Sequence, residues 1–126
     1  MVEVGSIYTV RYRYFDIRSN RYRFKSRPFL IVKLENSHFP KDLTALPVSK
    51  ITDRSRRDAY YDIEIKKQDF PKLNLNETVS FLRIAKVTTI SEMDLMNKVS
   101  DPIDSLYPNL YDEIKRKFSQ YYNLMN

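Results

Sequence analysis

Residues 6–15, Ser-Ile-Tyr-Thr-Val-Arg-Tyr-Arg-Tyr-Phe, set Ile7, Thr9, Arg11 and Arg13 in alternation with Tyr8, Val10, Tyr12 and Tyr14. A period of two sends the two sets to opposite faces, so the stretch is predicted to be a half-exposed β-strand. Working outward, Asp16 to Ser26 carries turn-forming Asp, Ser and Asn and is expected to be a long basic loop, or a hairpin extended by Tyr22 and Phe24. Phe29-Leu30-Ile31-Val32 is a short, wholly apolar run and predicts a strand buried on both faces. Asn36, Ser37 and Pro40 mark the next turn. Thr44 to Ile51 is strand-like but contains Pro47, which cannot donate to a ladder and points to an edge or a bulge. In Tyr60 to Ile65, the apolar Ile63 and Ile65 alternate with Asp62 and Glu64, predicting a strand with one acidic, solvated face.

Thr78 to Ile90 is rich in β-branched and aromatic residues, as expected of one bent strand or two strands. Ser91-x-x-Asp94 has the form of a capping box ahead of Met93, Leu95 and Met96, so a short helix is predicted to start there. Pro108 suits the first turn of a second helix, in which Leu110, Ile114, Phe118, Tyr121 and Met125 recur every three or four residues as one apolar stripe. Its other face carries Asp112, Lys115, Arg116 and Gln120, and Glu113 with Lys117 forms an i,i+4 pair. Five or six strands followed by a C-terminal helix make a small α+β barrel, expected to be a single domain over residues 1–126.

Composition removes several chemistries. With no Cys there is no disulfide scaffold, thiol nucleophile or thiolate metal site, and a single His cannot form a histidine pair. One Gly, Gly5, is too few for a glycine-rich phosphate cradle. The longest uncharged apolar run, Pro28 to Val32, is far shorter than a membrane helix, and Met1-Val2-Glu3-Val4 has no signal-peptide pattern, so a cytoplasmic protein without a membrane partner is expected. The net charge of +6 is concentrated in residues 11–27. Arg11, Arg13, Arg18, Arg21, Arg23, Lys25 and Arg27 stand there against Asp16, and the remaining 15 basic and 15 acidic residues cancel. A local excess of this kind implies an anionic partner.

Within that segment Arg11-Tyr12-Arg13-Tyr14-Phe15 and Arg21-Tyr22-Arg23-Phe24 interleave cations with rings. Cations bind phosphates and ring faces stack on unpaired bases, the combination that single-stranded nucleic-acid sites use. The plainer alternative is an amphipathic strand whose tyrosines pack the core while its arginines are solvated. His38, beside Asn36 and Pro40, has no second ligand at metal-binding spacing and is expected to be a surface histidine; Asp58, Asp62, Glu64 and Asp69 imitate a metal site, but Asp62 and Glu64 share a strand face that is expected to be simply solvated. Neither a metal nor a cofactor is expected.

Gly5-Ser-Ile-Tyr8, the basic segment ending in Arg27-Pro28, the apolar Phe29 to Val32, Ala45-Leu-Pro-Val-Ser49, Tyr61-Asp-Ile-Glu-Ile65, and Val87-Thr-Thr-Ile90 follow one another in an order that resembles the MazF/PemK family of toxin ribonucleases. The resemblance covers nearly the whole chain through short motifs, and its specificity lies in the ordered set. It implies an SH3-like β-barrel of five to seven strands with a short helix and a C-terminal helix. It also implies a homodimer restrained by an acidic protein antitoxin and a metal-independent endoribonuclease activity on single-stranded RNA, of which mRNA is the expected target. In many members an Arg before the Pro, here Arg27, and a hydroxyl residue on the third strand, commonly Thr and here Ser49, form the catalytic pair. Other members use an Arg and an Asp before the Thr-Ile stretch; Arg83 stands at that Arg, Ala85 replaces the Asp, and Lys86 takes a position often filled by Gln. Arg18, Arg21, Arg23, Lys25, Lys50, Arg83 and Lys86 are the expected RNA-binding residues.

The chemistry is consistent on its own terms. RNA carries its own nucleophile, so an enzyme has only to align the 2′-hydroxyl with the adjacent phosphorus, stabilise the phosphoryl oxygens and protonate the leaving 5′ oxygen. Arg27, fixed ahead of Pro28, can give two parallel hydrogen bonds to a phosphate and Ser49 a third. Two other functions compete: a barrel that binds RNA without cutting it, and a toxin of the same fold aimed at a protein such as DNA gyrase, which needs no basic segment.

Overall fold

A computed structural model describes residues 1–51 and 53–125, the side chains of Arg54 and Met125 excepted. The chain is α+β. Among the described residues the strands are β1 (Ile7–Asp16), β2 (Arg21–Leu34), β3 (Asp42–Ser49), β4 (Asp62–Lys66), β5 (Val79–Arg83), β6 (Thr88–Ser91) and β7 (Leu95–Lys98), followed by a single helical turn α1 (Ile103–Leu106) and the long C-terminal α2 (Pro108–Met125). The strands form one curled antiparallel sheet, a half-barrel in the order β4-β5-β3-β2-β1-β7, with β6 also paired to β3.

Alternation along β1 and β2 supplies two cores, one on each side of the sheet. Ile7 lies opposite Leu30 and faces α1 and α2, where Leu46, Leu82, Ile84, Ile103, Leu110 and Ile114 complete the larger cluster. Tyr8 lies opposite Phe29 and joins Val10, Ile31, Leu43 and Ala45 on the other side. A one-residue slip in this ladder would exchange the two sets, so the register is fixed by both cores at once. The expected burial of Phe29 to Ile31 is observed, with Val32 half-buried. On α2 the stripe holds: Leu110 and Ile114 are buried, Phe118 and Tyr121 pack against the same cluster, and Met125 falls outside the described side chains. Glu113 and Lys117 form their ion pair at 3.8 Å.

Gly5 has φ +91°, a conformation that favours glycine. Its N–H donates to the Ile31 carbonyl at 2.7 Å and its carbonyl accepts from Ile103 N–H at 2.8 Å, tying the N-terminus to both β2 and α1. A Cβ there would sit 3.2 Å from the Asp104 carboxylate.

Four expectations are corrected or resolved. Of the two readings of Asp16 to Ser26, the hairpin extended by Tyr22 and Phe24 holds and the long loop does not: β2 begins at Arg21 and pairs with β1 up to Asp16 opposite Arg21, leaving only residues 17–20 as the turn. Pro47 does not mark an edge. β3 lies inside the sheet, pairing with β6 through Asp42–Ala45 and with β5 through Val48 and Ser49, and Pro47 falls in the gap where its neighbour on that side changes. No ladder hydrogen bond from residue 47 is needed there. Ser91 does cap a turn, accepting from Met93 N–H at 3.2 Å, but the turn is one 3₁₀ turn, Glu92–Asp94, and the chain then extends into β7. Leu95 is thereby brought against the smaller core, opposite Val10. The short helix comes later, at Ile103. Thr78 to Ile90 resolves into two strands, β5 and β6, separated by a 3₁₀ turn at Ile84–Lys86.

Candidate nucleic-acid interface

Beyond the two cores the β1–β2 hairpin continues as an arm. Its outer part pairs Arg11 with Ser26, Tyr12 with Lys25, Arg13 with Phe24, Tyr14 with Arg23 and Phe15 with Tyr22, and β2 is exposed from Arg21 through Ser26. Pairing directs the aromatic and basic residues to both faces. On one face the Arg11 guanidinium lies 3.9 Å from the Phe24 ring centre, Arg13 lies 4.3 Å from that of Tyr22, and Phe15 meets Tyr22 edge-on at 5.3 Å. On the other, Lys25 lies 4.7 Å from the Tyr14 ring and Arg27 lies 5.3 Å from that of Tyr12. Phe15, Ile17, Tyr22 and Phe24 remain exposed. The alternative of tyrosines packing the core is therefore right for Tyr8 and only partly for Tyr12; beyond them Tyr14, Tyr22 and Phe24 contact cations, and Phe15 contacts Tyr22.

The turn is held by Asp16, which accepts from the Arg18 amide at 3.0 Å, from Ser19 Oγ at 3.1 Å and from Arg23 at 3.2 Å. Desolvation pushes this carboxyl up, but the hydrogen bonds from Ser19, Arg18 and Arg23, with the Arg23 charge, outweigh it and hold the group below its ordinary value of 3.8. Asn20, at φ 55°, closes the turn in the left-handed region that Asn tolerates. Arg18, Arg21, Arg23 and Lys25 thus all lie on the exposed arm.

At the root of the arm β2 and β3 bring Arg27 and Ser49 to the same cavity of about 200 Å³. Phe29 opposite Pro47 sets the register, and Ser26, Lys50, Asn76, Glu77 and Ser80 complete the polar lining among the described residues. A larger cavity of about 860 Å³ adjoins it, sharing Lys50 and Glu77 and adding Arg57, Glu64 and Phe81. Lys50 and Glu77 form an ion pair at 3.8 Å where the two meet. Arg57 pairs with Glu64 at 3.9 Å and lies 4.8 Å from the Phe81 ring centre.

Arg83 is placed differently from the other expected RNA contacts. Its Nε donates to Asp62 at 3.2 Å and its terminal nitrogen to the Arg56 carbonyl at 2.7 Å. Asp62 in turn is not solvated as expected: its side chain is 1% exposed and also accepts from Asp58 N–H at 2.7 Å, while Glu64 on the same strand is exposed. Asp58 accepts from the amides of Tyr61 at 2.8 Å and Tyr60 at 2.9 Å, and these bonds hold its carboxyl below its ordinary value. Lys86 is exposed on the turn between β5 and β6, beside Ala85, whose carbonyl accepts from Tyr121 on α2. His38 is exposed, and among the described residues no group of His, Asp and Glu is placed to hold a metal ion. No helix among the described residues is long and apolar enough to cross a membrane.

Asn76, Glu77 and Ser80 went unnoticed in the sequence. Asn74-Leu-Asn-Glu77 reads as a polar turn before a strand, and nothing local marks it as facing Arg27, because β3 and β5 bring these segments together only through pairing at Val48 and Ser49. No family model matches the chain, and no curated protein does.

Proposed function

We propose that the chain is an endoribonuclease acting on single-stranded RNA, built as an SH3-like barrel of the MazF/PemK toxin kind. The observation that supports this reading most strongly is the meeting of Arg27 and Ser49 in one cavity at the root of a cation-and-ring arm. The arm supplies what a flexible single strand needs: Arg21, Arg23 and Lys25 for phosphates, and the exposed rings of Tyr22 and Phe24 for bases. At the cavity Arg27 donates to the phosphoryl oxygens as charge gathers on them, Ser49 adds a neutral donor, and the RNA's own 2′-hydroxyl attacks. The mechanism needs no metal because nucleophile and electrophile belong to one molecule. An acidic antitoxin would compete for the same arm, and a homodimer would present two such arms.

A binding barrel without cleavage is the second reading, favoured by Arg83. Its side chain is committed to Asp62 and the Arg56 carbonyl, and with Ala85 in place of a carboxylate the alternative Arg/Asp chemistry has no base there. End-labelled single-stranded RNA incubated with the protein in excess EDTA separates the two readings. The ribonuclease reading expects discrete fragments ending in 2′,3′-cyclic phosphate and 5′-hydroxyl, with DNA of the same sequence uncut. Bound but intact RNA would leave the binding barrel.

A further inference from the structure

We infer that Glu77 is the general base of this reaction and that Lys50, its ion-pair partner, is the general acid; the inference rests on the ribonuclease reading above. Of the described side chains lining the Arg27/Ser49 cavity, Glu77 is the one carboxylate, and none is a histidine. The other polar groups there are unsuited to take a proton. Arginine stays protonated throughout, a serine hydroxyl is no base at neutral pH, and an asparagine amide accepts hydrogen bonds without ionising. Glu77 also lines the larger cavity, so it stands at the divide that a strand crossing from one to the other must pass. Its side chain is 52% exposed and its nearest oxygen is 3.8 Å from Lys50 Nζ, beyond hydrogen-bond distance, so the carboxylate keeps its accepting capacity and can turn toward a bound ribose.

The step balances within this pair. The Glu77 carboxylate takes the 2′-hydroxyl proton as the 2′ oxygen bonds to phosphorus, the bond from phosphorus to the 5′ oxygen breaks, and that oxygen takes a proton from the Lys50 ammonium. Arg27 keeps its protons and holds the phosphoryl oxygens. The products are a 2′,3′-cyclic phosphate and a 5′-hydroxyl, and return of the proton from Glu77 to Lys50, directly or through water, restores the ion pair for the next turnover.

Single-turnover cleavage of one RNA across a range of pH tests this. Glu77→Gln is expected to bind RNA no more weakly but to cleave about 100-fold or more slowly, and to lose the limb of the profile that falls with acid. Glu77→Gly is expected to be partly rescued by added formate, which a merely structural role would not produce. Lys50→Ala is expected to be slow on ordinary RNA and restored on RNA with sulfur at the scissile 5′ position, since a thiolate leaves without a proton. Glu77→Gln cleaving at the wild-type rate, or keeping the acid limb, overturns the base assignment while the ribonuclease reading stands. An equal Lys50→Ala defect on both substrates overturns the acid. A wild-type protein that cuts no RNA overturns both.

Discussion

Replacing Arg21 and Lys25 together with Gln should weaken RNA binding in a salt-dependent way without disturbing the fold. Both residues lie on the exposed outer arm, and among the described residues the arm's carboxylate, Asp16, is ion-paired with Arg23 and with neither of them. If the arm makes about three or four phosphate contacts, the logarithm of affinity should fall with the logarithm of salt at a slope of about −2 to −3, at roughly −0.7 per single-strand contact. Losing two contacts then flattens the slope by about 1.4. The structural cost is small: Lys25 gives up its contacts with Tyr14 at 4.7 Å and Tyr12 at 5.5 Å, worth about 0.5–1 kcal/mol at an exposed site. For a chain of this size that shifts Tm by about 4 °C at most. Anisotropy titrations of a labelled 2′-O-methyl RNA, which cannot be cleaved by its own hydroxyl, at four salt concentrations measure the slope directly. An unchanged slope with intact folding would refute the arm as the phosphate-binding surface and move those contacts to Lys50 and Arg57 at the cavities.

Other outcomes follow from single positions. Asp62→Ala should cost about 3 kcal/mol or more in denaturant unfolding, because it strands Arg83 and the Asp58 amide beside an emptied, buried position; a loss below about 1 kcal/mol would mean that the pair does not hold β4 to β5. Gly5→Ala should cost roughly 1–3 kcal/mol, since φ +91° and the approach to Asp104 both oppose a side chain, while cleavage per folded molecule is retained. Asp58 is held below 3.8 by the Tyr61 and Tyr60 amides, so the stability it contributes is fully present above that value and is lost as pH falls through the lower folded value. Unfolding measured from pH 6 down to pH 2.5 should therefore be flat above about pH 5 and decline below 4, and Asp58→Asn should make the decline shallower.

β1 and β4 were legible through period-two alternation, and the apolar centre of β2 through an unbroken apolar run, because cores on both faces bury Phe29, Leu30 and Ile31 alike. The β1–β2 arm was only half legible. Its alternation continues past Val10, but the rings there answer to cations across the hairpin instead of to a core, so pairing had to be seen before the loop reading could be dismissed. Pro47 and Ser91 misled for a shared reason: each obeys its local rule, yet the neighbour that decides the outcome, β5 beside β3 and β1 beside β7, is distant in sequence. Asp62 misled likewise, because its partner Arg83 is 21 residues away. At the cavity, Arg27 and Ser49 were singled out by the family resemblance alone, and the β2–β3 pairing carries both to one wall, whereas Glu77 arrives on a turn whose position depends on the whole sheet.

Cleavage of a single-stranded RNA by the Arg27→Ala protein, under single-turnover conditions in excess EDTA, bears most directly on the central claim. Arg27 is reached by no carboxylate ion pair among the described residues and is only half-buried, so its loss should leave the fold intact. Removing one donor to a developing phosphoryl charge costs about 2.7–4 kcal/mol, so the rate should fall about 100-fold to 1000-fold while folding matches the wild type. A folded Arg27→Ala protein that cuts RNA at the wild-type rate would contradict the account.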